Sequence, residues 1–154
     1  FKNKSFKISY KDLPDRGITY KNNLITGYIS LKNENRYYRL EGKLYATTEY
    51  VCVRCLKNFP FNIVQKVNIL MVPDTERFKQ EINIDIIYIN NYEDYVDLKD
   101  VFADLIALSE PIKPLCDKNC SGICSYCGTE KTTHCSCKDQ KDTSVWEKLK
   151  NIHN

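Results

Sequence analysis

Eight cysteines carry the clearest chemical signal in this sequence. Six of them fall within the 22 residues 116–137, and the other two form an isolated Cys-x-x-Cys pair far upstream. Four thiolates fill the tetrahedral shell of a structural zinc ion, and Cys-x-x-Cys pairs are spaced to wrap a metal. The pattern therefore predicts two zinc ions, each with four ligands drawn from Cys52, Cys55, Cys116, Cys120, Cys124, Cys127, Cys135 and Cys137.

Spacing along the chain suggests which cysteines share an ion. A local site is favoured for the last four, because a Cys-x-x-Cys pair is followed after seven residues by Cys-x-Cys. The upstream pair is then left with the two cysteines that open the C-terminal run. The predicted first cluster consists of Cys52, Cys55, Cys116 and Cys120. The predicted second cluster consists of Cys124, Cys127, Cys135 and Cys137. Exchange of Cys120 and Cys124 between the clusters is the alternative, and His134 is a further candidate ligand.

Four disulfides are the main alternative use of eight cysteines, since small secreted domains are stapled in this way. Two features favour metal binding instead. The Cys-x-x-Cys spacing is typical of metal-wrapping knuckles, and 154 residues with 42% hydrophobic content can build a core without staples. A thioredoxin-like redox role for Cys52 and Cys55 is disfavoured, because such a pair opens a helix in a βαβ unit.

The elements expected to position the cysteines begin with strands. Strand patterns cover residues 6–10, 24–32, 36–51, 59–72 and 81–90, with a hairpin turn at 33–35. The third and fourth patterns keep a period of two on either side of the upstream cysteine pair. A β-hairpin is therefore expected to carry that pair at its turn. Gly42, which interrupts the apolar face of the third strand, is expected to mark a bulge.

After the strands, the apolar period changes to that of a helix. Asp97 is predicted to cap a helix that continues to Glu110, and two prolines then lead the chain towards the C-terminal cysteines. The predicted apolar stripe consists of Leu98, Val101, Phe102, Leu105, Ile106 and Leu108. A short closing amphipathic helix is expected to begin at Ser144.

These patterns predict an α+β fold class. Residues 1–115 are expected to form an antiparallel, β-rich lobe with a Cys-x-x-Cys hairpin knuckle and one amphipathic helix. Residues 116–154 are expected to form a cysteine-rich, zinc-ribbon-like lobe with the closing helix. The two lobes are expected to fold as one cooperative unit, because the first cluster takes ligands from both.

Charge is distributed unevenly along the chain. Residues 1–57 contain 12 lysines and arginines against 5 acidic residues, 58–115 contain 5 against 10, and 116–154 contain 6 against 5. The formal net charge of +3 becomes −1 once two Zn²⁺ ions and eight thiolates are counted, so the whole chain is not basic. One interpretation is that the basic N-terminal part contacts phosphate and the acidic middle part contacts a basic protein. The other is that these charges are scattered over the surface and merely solvated.

Several motifs occur in a characteristic order: Cys52-Val53-Arg54-Cys55-Leu56, the helix leading into residues 111–116, Cys-Ser-Gly-Ile-Cys-Ser-Tyr-Cys-Gly at 120–128, Cys-Ser-Cys at 135–137, and the closing helix. In this order and spacing the chain resembles the YceD family, described as needed for accumulation of large-subunit ribosomal RNA in bacteria and plastids. Residues 1–50 resemble that family only as a β-rich lead-in. The resemblance implies a role in ribosome biogenesis, with 23S rRNA or a pre-ribosomal particle as partner, and it brings no catalytic residue.

The expected mechanism is a rigid platform whose basic N-terminal half contacts the rRNA backbone. The candidate contacts are Arg36, Arg39, Lys43 and Arg54. The tyrosines interleaved with these residues are Tyr37, Tyr38 and Tyr45. They either stack on bases or pack in the sheet. One alternative is an interaction module that chaperones a basic ribosomal protein through Glu93, Asp94, Asp97, Asp100 and Asp104. Another is a zinc-ribbon subunit of a transcription or RNA-processing complex.

Catalysis has little support, since no Ser/His/Asp group, carboxylate pair or phosphate-cradling glycine loop stands out. A non-enzymatic protein is therefore expected. No apolar run approaches the roughly 20 residues of a transmembrane helix. The expected location is the bacterial cytoplasm, or a plastid after removal of a transit peptide.

Overall fold

In the part of the chain that the structure describes, five strands form one sheet and a helix packs against one of its faces. The computed structural model describes residues 2–74, 85–90, 95–131, 135 and 137. In chain order its elements are β1 (Lys4–Ser9), a 3₁₀ turn (Tyr10–Asp12), β2 (Leu24–Glu34), β3 (Tyr37–Val51), β4 (Asn58–Pro73), β5 (Asp85–Ile89) and α1 (Lys99–Ala107). The predicted α+β class is confirmed at this level.

The strands follow the chain order β1-β2-β3-β4-β5 across the sheet. The first four are antiparallel to one another, each paired with the next strand along the chain. β5 instead runs parallel to β4, with register from Ile69 opposite Asp85 to Pro73 opposite Ile89. The expectation of a wholly antiparallel lobe is therefore wrong for the last strand. β5 pairs with the C-terminal half of β4, and its residues Ile87 and Ile89 pack against the core.

Strand positions were predictable because apolar and polar residues alternate so regularly. The first four predicted strands agree with β1–β4 to within two residues at each end. The hairpin between β2 and β3 turns at Asn35 and Arg36, where Asn35 has a φ of 60°. The bulge predicted at Gly42 is wrong, since the register runs without interruption through it on both sides. A Cβ at Gly42 would collide with the carbonyl oxygen of Tyr28, so close strand approach is what requires glycine there.

The core lies between α1 and one face of the sheet. From the sheet it contains Leu40, Leu44, Ala46, Ile63, Val67 and Ile69, and from α1 it contains Phe102, Ala103, Leu105 and Ile106. The ring of Phe6 in β1 stacks on Phe102 with centroids 5.5 Å apart, so the helix spans from β1 to β4. Burial of these apolar side chains is the main favourable contribution to folding.

Helix α1 is shorter than predicted and is capped differently. Its N-cap position is Leu98, and the carboxylate of Asp97 accepts the N–H of Lys99 at 3.0 Å from outside the helix. The predicted stripe is wrong at Leu108, which is 83% exposed beyond the end of the helix, whereas Ala103 is fully buried. The predicted closing helix at Ser144 lies outside the described residues. Within the described ranges, no helix has the length and apolarity to cross a bilayer.

Truncating Ile106, whose side chain is fully buried, tests this packing. Ile106→Ala should lower the free energy of unfolding by about 2–5 kcal/mol, because it removes core contacts and leaves a cavity. Leu108→Ala is the control and should change it by less than about 0.5 kcal/mol, since that side chain is mostly in solvent. Urea unfolding of both variants provides the measurement, and equal losses would contradict the placement of the helix.

Candidate metal centres

The first cluster joins two distant parts of the chain. Cys52 and Cys55 lie in the connection between β3 and β4, and Cys116 and Cys120 lie in the segment that follows α1. One sulfur from each residue lies within 4.8 Å of the other three. The Sγ atoms of Cys52 and Cys120 are 3.8 Å apart, and those of Cys55 and Cys116 are 3.5 Å apart. Zinc–sulfur bonds of 2.3 Å in a tetrahedron place sulfurs about 3.8 Å apart, so this geometry fits one ion.

The second cluster is local. Cys124, Cys127, Cys135 and Cys137 again bring four sulfur atoms within 4.8 Å of one another, and the Sγ atoms of Cys127 and Cys135 are 3.6 Å apart. The structure thus brings the eight cysteines together in the two predicted groups, without the exchange of Cys120 and Cys124. The alternative ligand His134 lies outside the described residues.

Distances between the sulfurs argue against the disulfide alternative. The bond length of a disulfide is about 2.05 Å. All eight thiols are unbridged, and the contacts at 3.5–3.8 Å are those of separate sulfur atoms. Two groups of four cysteines at these separations are able to hold metal ions, and zinc is compatible with both.

Both Cys-x-x-Cys pairs lie in the same type of turn. In residues 52–57 the N–H of Leu56 donates to the carbonyl of Cys52 at 2.9 Å, and the N–H of Cys52 donates to the carbonyl at the end of the turn at 2.9 Å. The corresponding bonds in residues 124–129 measure 2.9 and 2.7 Å. The residue after the second cysteine is left-handed in both, with φ of 59° at Leu56 and 70° at Gly128.

Only one of these two left-handed positions was recognisable in the sequence. Glycine at 128 signals a positive φ, because glycine adopts that conformation without steric cost. Leucine at 56 gives no such signal, since a non-glycine residue seldom occupies this region. The shared spacing of the two pairs is the signal that identifies Leu56.

The segment after α1 docks directly on the first turn. The N–H of Val53 donates to the carbonyl of Pro114 at 3.0 Å, and the N–H of Ile123 donates to the carbonyl of Arg54 at 3.1 Å. The guanidinium of Arg54 also donates to the carbonyl of Cys120 at 2.9 Å. Arg54, predicted as an RNA contact, therefore has a structural role in holding two ligand segments together.

Hydrogen bonding within the first cluster polarises its thiols. Burial opposes ionisation of the Cys52 thiol. Hydrogen bonds from backbone N–H groups nevertheless lower its pKa to about 6, and the largest contribution comes from Cys116, followed by Cys55 and Arg54. The pKa of Cys116 is raised to about 12, first by its hydrogen bond with the Cys55 thiol and then by burial. Four thiols this close cannot all ionise beside one another unless a cation balances their charge.

Thiol chemistry in the second cluster follows the same pattern. The pKa of the Cys127 thiol is lowered to about 6. The main cause is its hydrogen bond with the hydroxyl of Thr129, whose oxygen lies 2.9 Å from Cys127 Sγ. The pKa of Cys137 is raised to about 12, first by its hydrogen bond with Cys127. Each cluster thus contains at least one thiol whose pKa is lowered and two whose pKa is raised, and the latter need a cation in order to ionise at neutral pH.

The predicted RNA contacts lie in different surroundings. Arg36 is exposed at the β2–β3 turn, and Lys43 lies in the middle of β3. Arg39 donates to Glu34 at 3.0 Å, and its side chain is only 23% exposed. The structure does not bring these residues into one cluster with Arg54, and their contact with RNA stays a prediction.

The predicted acidic surface is partly neutralised. Arg16 contacts Asp104 at 2.6 Å and Asp100 at 3.1 Å, and Asp97 lies 3.7 Å from the ammonium of Lys99. The remaining two acids of this group, Glu93 and Asp94, lie outside the described residues. Arg16 therefore occupies two of the carboxylates that a basic partner would need.

The fold and these clusters define a small α+β protein with two four-cysteine sites suited to metal ions. The chain belongs to the YceD family, because the family model described as Large ribosomal RNA subunit accumulation protein YceD matches residues 40–153. The match begins within β3 and includes all eight cysteines, which confirms the predicted family. No curated protein and no solved structure matched the chain.

Replacing one ligand tests the grouping of the cysteines. Cys52→Ser in protein refolded with Zn²⁺ should reduce bound metal from two equivalents to one, because only the first cluster loses a thiolate. It should also lower the melting temperature strongly, since metal binding by a structural site contributes directly to folding. Elemental analysis and thermal unfolding monitored by circular dichroism provide the measurements.

Cys137→Ser is the matched control for this experiment. It should also remove one equivalent of metal, but the contact between the β3–β4 turn and the segment after α1 should survive because the first cluster is intact. Unchanged stoichiometry in Cys52→Ser, or loss of both ions, would contradict the grouping.

Proposed function

We propose that this protein is a non-catalytic ribosome-biogenesis factor that supports the accumulation of large-subunit (23S) rRNA. The match to the YceD family model over residues 40–153 carries this proposal. The partner is the large-subunit rRNA or a pre-ribosomal particle, and a ribosomal protein is a possible additional contact within that particle. The proposed location is the bacterial cytoplasm.

Zinc is the proposed metal in both clusters. Each cluster supplies four sulfur ligands, which is the donor set of structural zinc sites, whereas catalytic zinc sites keep one position open for water or substrate. The buried sulfurs of Cys52 and Cys120 in the first cluster agree with a closed site. The ions would hold the turn at 52–57 against the segment after α1, and no reaction step is assigned to them.

Contact with RNA is proposed to come from the N-terminal half of the chain. Its 12 lysines and arginines against 5 acids in residues 1–57 favour a polyanionic partner. Arg39 and Arg54 already donate to Glu34 and to a main-chain carbonyl. They can bind phosphate only through the donors that remain, so residues elsewhere must supply part of the affinity.

Gradient sedimentation tests the proposed function. Tagged protein should co-sediment with large-subunit precursors, and its depletion should lower 23S rRNA relative to 16S rRNA. Cys52→Ser should weaken co-sedimentation, because the platform depends on the first cluster. Protein that stays at the top of the gradient, together with an unchanged 23S to 16S ratio after depletion, would contradict the proposal.

A pull-down after ribonuclease treatment separates direct RNA contact from the protein-chaperone alternative. If RNA is the partner, digestion should release the large-subunit components. Retention of a basic ribosomal protein after digestion, and its loss in an Asp97→Asn, Asp100→Asn, Asp104→Asn variant, would favour the chaperone instead.

A further inference from the structure

The sheet face opposite α1, here called the outer face, carries two adjacent rows of side chains. The register of β1 to β4 places Ser5, Tyr28, Lys43 and Lys66 in one row across the strands. The next row consists of Lys7, Thr26, Tyr45 and Val64. The core face alternates with these rows, since Leu44 and Phe6 point towards α1. The outer face at this place therefore combines lysines with two tyrosines.

Lys43 and Lys66 are directly opposite one another on β3 and β4. Like charges in such cross-strand pairs destabilise a sheet. Among the described residues, neither ammonium group has a carboxylate within ion-pair distance, whereas Lys32 further along the same face contacts Glu41 at 2.6 Å. Because the neighbouring carboxylate of Glu41 is paired with Lys32, this pair of lysines favours an anionic ligand at this place.

The two tyrosines lie on neighbouring strands. Tyr28 faces Lys43, and Tyr45 faces Thr26, so the two rings are diagonal neighbours on β2 and β3. Diagonal neighbours in an antiparallel pair are about 7–8 Å apart, which leaves aromatic side chains within reach of one another. Tyr45 is 38% exposed, and neither ring stacks on another aromatic ring in the described part of the chain.

Two hollows meet at Tyr45. One, of about 400 Å³, lies on the side of Tyr28 and Lys7. The other, of about 830 Å³, is lined by Lys21 and by the amides of Asn22, Asn23 and Asn62. Both also contact Thr26. The face is thus concave on either side of an exposed ring, with positive charge and amide groups along it.

We propose that this outer face binds single-stranded RNA, with Tyr28 and Tyr45 each stacking a base and Lys43 and Lys66 contacting phosphates. The inference rests on the proposed function, because it assigns the RNA contact to particular residues. Aromatic side chains on adjacent strands of a sheet stack bases in other RNA-binding domains. The strand must be single because the bases of a duplex are already stacked and cannot reach the rings.

This placement revises the candidates chosen from the sequence. Lys43 and Tyr45 stay in the set, and Tyr28, Lys66 and Lys7 are added. Their proximity depends on strand register, since they come from four different strands.

Binding of a fluorescein-labelled, mixed-sequence RNA 12-mer to the full zinc-loaded chain tests the inference by fluorescence anisotropy. Tyr28→Leu and Tyr45→Leu should each weaken binding by about 5- to 150-fold, the range of stacking losses on removing an aromatic ring. Tyr28→Phe and Tyr45→Phe should retain affinity near that of the original protein, because phenylalanine keeps the stacking surface. A duplex of the same length should bind more weakly.

The lysines are tested by salt dependence. Replacing both Lys43 and Lys66 with glutamine should make the slope of log affinity against log salt shallower by about 1.4, since each phosphate contact to a single strand contributes about 0.7. Lys113→Gln and Lys118→Gln, together with Tyr95→Leu, change exposed residues outside the strands and should leave affinity and slope unchanged. Retention of two zinc equivalents and of the melting temperature shows that every variant is folded.

The outcomes separate this inference from the proposed function. Co-sedimentation with large-subunit precursors without affinity for the 12-mer overturns the inference and leaves the function standing. Leucine variants that bind as tightly as the original protein, equal affinity for the duplex, or equal competition by polyglutamate of matched charge each overturn it as well. Affinity for the 12-mer without co-sedimentation, together with an unchanged 23S to 16S ratio after depletion, supports the inference and contradicts the function.

Discussion

Four sulfur atoms that converge from distant parts of the chain constrain the rest of this structure. Cys55 and Cys116 are 61 residues apart in sequence, and their sulfurs are 3.5 Å apart. To bring them together, the β3–β4 hairpin must end at the correct place, and α1 must cross the core face and deliver the following segment to the turn. Charge makes the same demand, because neighbouring thiolates repel unless a cation lies between them. Packing and the grouping of the four thiols therefore depend on one another in this protein.

Much of this arrangement was predictable because its signals are local and repeated. The alternation in β3 and β4 fixed both strands and placed the Cys-x-x-Cys pair at their turn, and the spacing of the last four cysteines grouped them. The direction of β5 was not predictable, since a run of five residues rich in isoleucine suits either direction. The N-cap was predicted one residue too early. Asp97 does accept the backbone N–H of Lys99, but it does so from the position before the N-cap residue Leu98. The hydrogen bond from Arg54 to the carbonyl of Cys120 was not predictable, because that carbonyl is 66 residues away in the sequence, and the contact of Arg54 with RNA stays a prediction.

The sheet assigns different tasks to its two faces. One face is covered by α1 and is apolar, so it supplies stability, whereas the part of the other face around Tyr45 presents lysines, tyrosines and asparagines. A flat, hydrogen-bonded surface holds side chains on neighbouring strands at fixed separations, which loops do not. The family match begins at residue 40, so Tyr28 on β2 lies before the matched region, whereas Lys43, Tyr45 and Lys66 lie inside it. The proposed RNA surface therefore spans the boundary of the family match.

Sequence separation within the first cluster also sets the order of events during translation. Its first two ligands, Cys52 and Cys55, are synthesised long before Cys116 and Cys120. At about 5–20 residues per second, a nascent chain waits roughly 3 to 13 seconds between them. During that interval the hairpin offers only half of the ligand set. An ion bound by this cluster would therefore be acquired only after the segment that follows α1 has been synthesised.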